Sequence, residues 1–209
     1  MEYTPITGPG SVSRISTYEK CPHKAFLKYK AEVPEFYELV REIGSKVHKG
    51  MEDYCNVCKQ LRVRRSEEAS QMILANMQAD MTADEWENIS KPLTRFVTEW
   101  EFPSLEMEAE RKLAVNKHWE PCGYDDPDAH FRIRCDLDIK NSDTATTLID
   151  YKSGYKVALP GSPKAELQLK AYAAVYFANF PEIKSITARN IYVRFNTEVE
   201  IPITSDGMD

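Results

Sequence analysis

The chain has 209 residues, of which 42% are hydrophobic and 29% charged, and a formal net charge of -6. That length suits one domain with a real core, and the acidic balance excludes a protein that coats nucleic acid indiscriminately while leaving room for a local basic groove. No run approaches the roughly 18 uninterrupted apolar residues of a membrane span, and the opening Met1-Glu-Tyr-Thr-Pro lacks the basic-then-apolar pattern of a signal peptide.

Residues 1–12 contain Pro and Gly and read as an irregular lead-in. Ser16 and Glu19 form a capping-box pattern that predicts a helix from about Thr17 to Tyr29. It carries Lys20, Lys24 and Lys28, a pattern that suits either a solvated face or a phosphate-contacting rim. After Pro34 a longer helix is expected from about Tyr37 to Leu61, with Leu39, Ile43, Val47 and Met51 as its buried stripe and His48 beside it. The basic run of Lys59, Arg62, Arg64 and Arg65 suits a solvated loop or a grip on a phosphate backbone. Ser66 and Thr82 begin two more helical segments, the second with a capping box to Glu85, and Pro92 is expected to start a new helix or kink this one. Leu93, Phe96, Val97 and Trp100 mark a buried side, so that residues 13–102 read as a mainly helical block.

Pro103 introduces a period of two: Leu105, Met107 and Ala109 alternate with Glu106, Glu108 and Glu110, and Leu113 and Val115 continue the apolar face. A loop over Asn116–Asp128 precedes a strand from Phe131 to Ile139, which presents Asp136 and Asp138 on one face. Asn141-Ser-Asp143 suits a hairpin turn into Thr146–Lys152. On that second strand Leu148, Asp150 and Lys152 share one face, and Ile149 and Tyr151 the other. After a loop at residues 159–163, a helix from about Lys164 to Asn179 carries Gln168 and Tyr172 on one side. Ile191, Val193 and Phe195 alternate as a strand, Asn196-Thr-Glu turns, and Val199, Ile201 and Ile203 form a last strand. Two carboxylate-bearing strands followed by a lysine suit a hard-metal site, because oxygen donors collect Mg2+ or Mn2+. The five cysteines, odd in number and unevenly spaced, point to a reducing compartment and hence to a cytoplasmic protein. Cys55-Asn-Val-Cys58 has no further pair of ligands at zinc spacing, and its thiols read as packing groups.

Five stretches resemble, in order, the motifs of the PD-(D/E)XK nuclease superfamily, closest to its RecB-like branch of recombination nucleases, CRISPR-associated adaptation nucleases and phage exonucleases. They are Ser16 to Phe26, Gly44-Ser-Lys-Val-His48, Asp136-Leu-Asp138, Ile149-Asp150-Tyr151-Lys152-Ser-Gly and Gln168-Leu-Lys-Ala-Tyr172. The resemblance implies an α/β fold: a restriction-endonuclease-like core with a small mixed sheet flanked by helices, behind an N-terminal helical block. It implies one nuclease domain over residues 1–209, with the sheet core at 103–209.

The resemblance also implies roles. Asp138, Asp150, the backbone carbonyl of Tyr151 and His48 would hold Mg2+ or Mn2+, with Asp136 as the alternate ligand. The choice of Asp138 rests on Cys135, a small residue in place of the motif's glycine. Asp138, Asp150, Lys152, Gln168 and Tyr172 would form the catalytic group, and Lys20, Lys24, Arg62, Arg64 and Arg65 would contact DNA. Glu110 lies in a segment that some relatives use near the site. Certain relatives carry an iron–sulfur cluster on one early and three late cysteines; no cysteine follows Cys135, so no cluster is expected. The chain ends soon after the last hairpin, which fits a short or truncated member. The expected function is a DNA exonuclease acting on single-stranded or duplex ends, without membrane attachment, in the recombination, repair or phage DNA processing of a bacterial or phage-infected cell. The alternatives are a structure-specific endonuclease and a catalytically silent binding module on the same fold.

Overall fold

A computed structural model describes residues 8–33, 38–158 and 162–207. The expected Pro34 break, the helix start at Tyr37, the first residues of the lead-in and positions 159–161 of the second loop lie outside the described residues. Among the described residues, six α-helices and six strands occur in the order α1 (Val12–Lys20), α2 (Pro22–Tyr29), α3 (Glu38–Leu61), α4 (Glu67–Ala79), α5 (Ala83–Glu99), β1 (Met107–Val115), β2 (Pro121–Cys122), β3 (Phe131–Ser142), β4 (Ala145–Lys152), α6 (Pro163–Asn179), β5 (Ser185–Tyr192) and β6 (Thr197–Thr204). The sheet order is β2-β1-β3-β4-β5-β6, with β4 and β5 parallel and every other pair antiparallel. The parallel pair requires a crossover, and α6 supplies it.

Two cores sit on the two faces of this mixed α/β sheet. On one, Val47, Met51 and Tyr54 of α3 and Ile89, Leu93 and Phe96 of α5 meet Leu137, Ile139, Ile149 and Tyr151. On the other, Leu169, Ala173 and Tyr176 of α6 meet Ile133, Leu148, Ile186 and Ala188. Gly44 allows α3 to approach the chain just after β4: a Cβ there would lie 3.3 Å from Ser153 Oγ.

The single helix expected over Thr17–Tyr29 is two. Cys21 is extended at φ −163°, and Pro22, which has no N–H to donate, opens α2 at its first position. Ser11, not Ser16, caps α1. Pro92 neither starts nor ends a helix; α5 runs through it, held to the core by buried Ile89, Leu93, Phe96 and Val97. The strand expected to reach Phe195 stops at Tyr192. The chain there turns through a short 3-10 segment, Arg194 donates to the Ser153 carbonyl, and Asn196 takes a left-handed φ of 45°.

The capping box at Thr82 forms in full, with Glu85 N–H donating to Thr82 and Thr82 N–H donating to Glu85. Thr82→Ala should therefore cost about 1 kcal/mol. Urea unfolding should show this as a lower midpoint at unchanged slope, and an unaltered midpoint would show that the cap is not needed.

Candidate active site

β3 and β4 pair only as far as Leu137 and Ile149. Beyond that point they separate, and a cavity of about 680 Å³ opens where they part. Asp136 enters it from β3, Asp150 and Lys152 from β4, Gln168 and Tyr172 from α6, and His48 from α3.

Alternation on β4 explains one half of the cluster. Asp150 and Lys152 share a face, and their charged atoms stand 2.5 Å apart as an ion pair. Gln168 joins them: its amide donates to Asp150 Oδ1 at 2.5 Å, and its carbonyl accepts from Lys152 at 2.9 Å. The Tyr172 hydroxyl donates to the same Asp150 oxygen at 3.2 Å. Burial, with Asp150 adding to it, pushes the Tyr172 pKa well up and keeps that hydroxyl a donor.

The other half depends on a break in alternation. The pairs Cys135–Arg111 and Leu137–Ala109 keep register, while Asp136 and Glu110 between them are unpaired. Glu110 has a positive φ of 53°, which a side-chain-bearing residue rarely adopts. As a result Ala109 and Glu110 both meet the α3 side, as do Leu137 and Asp136. Asp136 Oδ1 lies 3.1 Å from His48 Nδ1, and its Oδ2 accepts the Tyr151 N–H at 2.6 Å. The Tyr151 ring packs edge-on to His48, at 6.3 Å between ring centroids. One donor atom from each of His48, Glu110 and Asp136 falls within 4.8 Å of the others.

The same break moves Asp138 away, so Asp136 and Asp138 do not share a face as alternation predicts. Asp138 turns to the α6 side, accepts hydrogen bonds from Thr146 at 2.6 Å and Tyr176 at 2.8 Å, and pairs with Arg111 at 2.6 Å. It lines a separate cavity with Arg111, Thr146 and Tyr176. Of the basic residues expected at DNA, Lys20 lines the cavity that holds Asp150, and Lys24 of α2 is not part of its wall. Arg62 follows α3 fourteen positions after His48, about 21 Å along the axis at ~1.5 Å per residue. Arg64 donates to the Phe102 carbonyl at 2.5 Å and Arg65 to the Thr98 carbonyl at 3.4 Å, so these arginines tie the α3–α4 turn to the end of α5.

The donor set suits a hard cation. Burial works against a charged His48, but the hydrogen bond and charge of Asp136, reinforced by Asp150 and Glu110, prevail and raise its pKa. Burial raises the pKa of Glu110 against the pull of Arg134. Burial likewise raises that of Asp150 against Lys152, and Asp136 adds to the shift. All three shifts reduce negative charge, as expected where carboxylates converge without enough positive charge. Carboxylate oxygens and one imidazole are donors that a divalent cation can take. Glu110 is the member whose place in the cluster the alternating pattern could not reveal; its sequence signals are a glutamate at the end of an alternating run and a segment that some relatives use near the site.

Among the described residues no helix is long and apolar enough to cross a membrane. No curated protein matches the chain. Among solved structures, the crystal structure of SSO0001 is similar over 79% of this chain and 78% of its own, at 15% identity and a TM-score of 0.30, a likeness too distant to carry an argument. The model of the PD-(D/E)XK nuclease superfamily matches residues 9–206, nearly the full length. Together with the mixed sheet and the acidic cluster where β3 and β4 part, that match makes this chain a member of the PD-(D/E)XK nuclease superfamily.

Proposed function

We propose that the chain is a Mg2+- or Mn2+-dependent DNA exonuclease of the RecB-like branch, folded as a single nuclease domain over residues 1–209. It would work in the cytoplasm on DNA ends arising in recombination, repair or phage DNA processing. The observation that carries the reading is His48 of α3 standing 3.1 Å from Asp136, in the same cavity as Asp150 and Lys152. A helix-borne histidine beside the carboxylates goes with end-processing members of the superfamily.

His48, Asp136, Asp150 and the Tyr151 carbonyl would hold the cation, with Glu110 within reach. Asp136 takes the role that sequence spacing gave to Asp138, because Asp138 is already engaged by Arg111, Thr146 and Tyr176. When bound there, a divalent ion would supply positive charge to polarise the scissile phosphate and acidify a nearby water. Lys152, fixed between Asp150 and Gln168, orients the attacking water and offsets charge that develops on the phosphate. Gln168 and Tyr172 hold Asp150 and Lys152 in place and are positioning residues.

Linear DNA should be degraded to short products in Mn2+, while closed circular single-stranded and double-stranded DNA survive. A gel time course on matched linear and circular substrates checks this. Rapid loss of either circle would replace the exonuclease with an endonuclease.

A further inference from the structure

The face of β3 that presents Asp136 also presents Arg134 and Arg132, at the period of two along the same strand. Register sets Lys112 of β1 opposite Arg134, and Ala114 opposite Arg132. Three cations therefore share one face and lead to the acidic cluster, with neighbours along β3 about 7 Å apart. Arg134 pairs with Glu110 at 2.8 Å and so joins the row to the cluster itself. Tyr124, in the connection after β2, lies against this row: Arg132 Cζ is 5.3 Å and Lys112 Nζ 5.5 Å from the centre of its ring. Tyr124, Arg132 and Arg134 line the same cavity as Asp136 and Asp150, and Lys20 of α1 lines it too.

Arg132 is not consumed by the fold. Its Nη2 donates to the Asp126 carbonyl at 3.2 Å, but its Nε is buried and has no hydrogen-bond partner. A chain with an overall charge of -6 thus presents cations and a half-buried aromatic ring in line with its carboxylates. The chemistry that fits is a phosphodiester backbone with unpaired bases. The cations meet successive phosphates, and an aromatic ring offers a stacking surface that a base already stacked in duplex cannot use.

Building on the nuclease reading above, we propose that Arg132, Arg134 and Lys112 guide a single DNA strand to the cluster and that Tyr124 stacks one of its bases. The enzyme then binds single-stranded DNA in preference to blunt duplex.

The test is fluorescence anisotropy in EDTA, where binding is read without cleavage, with a labelled oligothymidylate and a blunt duplex of equal length. Wild-type protein should bind the single strand more tightly. Arg132→Gln should weaken that binding and lower the slope of log K against log salt by about 0.7, the value for one lost single-strand phosphate contact. Tyr124→Leu should weaken it about tenfold with the slope unchanged, as expected for lost stacking. Arg132→Lys and Tyr124→Phe should restore each property, which separates these roles from damage to the fold.

Equal or tighter duplex binding, or wild-type binding and slope in both Arg132→Gln and Tyr124→Leu, would overturn the proposal. Cleavage is scored separately on linear DNA. A wild type that cuts while these variants bind normally removes the track and leaves the nuclease. A wild type that never cuts while the variants lose binding as described leaves the track and removes the nuclease.

Discussion

Asp136→Asn should abolish cleavage in a protein that still folds, whereas Asp138→Asn should leave a cutting enzyme of reduced stability. The two residues are two positions apart on β3 and equally acidic, so only their surroundings separate them. Asp136 meets His48 and lines the cavity that contains Asp150 and Lys152. Its change to asparagine removes the negative charge a cation needs and retains the size of the side chain. Asp138 is 3% exposed and bound to Arg111, Thr146 and Tyr176, with no part in that cavity. Asparagine there still accepts from the two hydroxyls but removes the buried one of Arg111's two carboxylate partners, leaving it Glu108 at 2.8 Å. Breaking one side of a buried pair costs about 3 kcal/mol at the lower end of the usual range, and the partial exposure of Arg111 together with its remaining partner Glu108 argues for no more than that. Urea denaturation should show this loss for Asp138→Asn and little change for Asp136→Asn. Cleavage of end-labelled linear DNA, below the unfolding transition of both variants, should show the reverse order. An active Asp136→Asn beside an inactive, stable Asp138→Asn would return the ligand role to Asp138.

What could be read from the sequence divides along a physical line. The elements that follow a simple period were legible: the α3 stripe through Ile43, Val47 and Met51, the Asp150/Lys152 face of β4, and the Gln168/Tyr172 side of α6. Each needs only helical or strand periodicity, and the structure brings their polar members to one cavity. The Asp136/Asp138 pair was misread because its geometry depends on a fault in the period. Glu110 at a φ of 53° on the neighbouring strand accompanies the unpaired Asp136, and no composition signal marks a glutamate as left-handed. The single helix over Thr17–Tyr29 failed differently. Pro22 was visible, but an N1 proline opens a helix and an interior proline breaks one, and only the extended Cys21 decides between them. Pro92 is the converse case, tolerated inside α5 because buried neighbours hold the helix on both sides. The arginines at 62–65 read as a possible grip on a backbone by charge alone. In the structure Arg64 and Arg65 also donate to the backbone carbonyls of Phe102 and Thr98, and Arg62 stands well along α3 from His48.

Asp150→Ala and Lys152→Met should both end cleavage but move divalent-ion binding in opposite directions. Asp150 is buried, hydrogen-bonded by Gln168 and Tyr172 on one oxygen, and faces the Lys152 ammonium with the other. That second oxygen has an ion contact at 2.5 Å but no aligned hydrogen bond, so it is the oxygen free to turn to a cation. Removing the carboxylate leaves one fewer hard donor and an ammonium without its counter-charge, and Mn2+ affinity should fall at least tenfold. Removing the ammonium relieves a like-charge repulsion toward the cation and frees the Asp150 oxygen, so Mn2+ should bind Lys152→Met as tightly as wild type or more tightly. Its cleavage should nevertheless be lost, because Lys152 is the cation that Gln168 and Asp150 hold in place, whereas Arg132 and Arg134 of the same cavity are turned to Asp126 and Glu110. Titration calorimetry with Mn2+ on each folded variant, beside a cleavage assay, measures both properties. If Lys152→Met lost Mn2+ binding as completely as Asp150→Ala, the lysine would be needed to build the metal site, and its assignment to water and phosphate would be wrong.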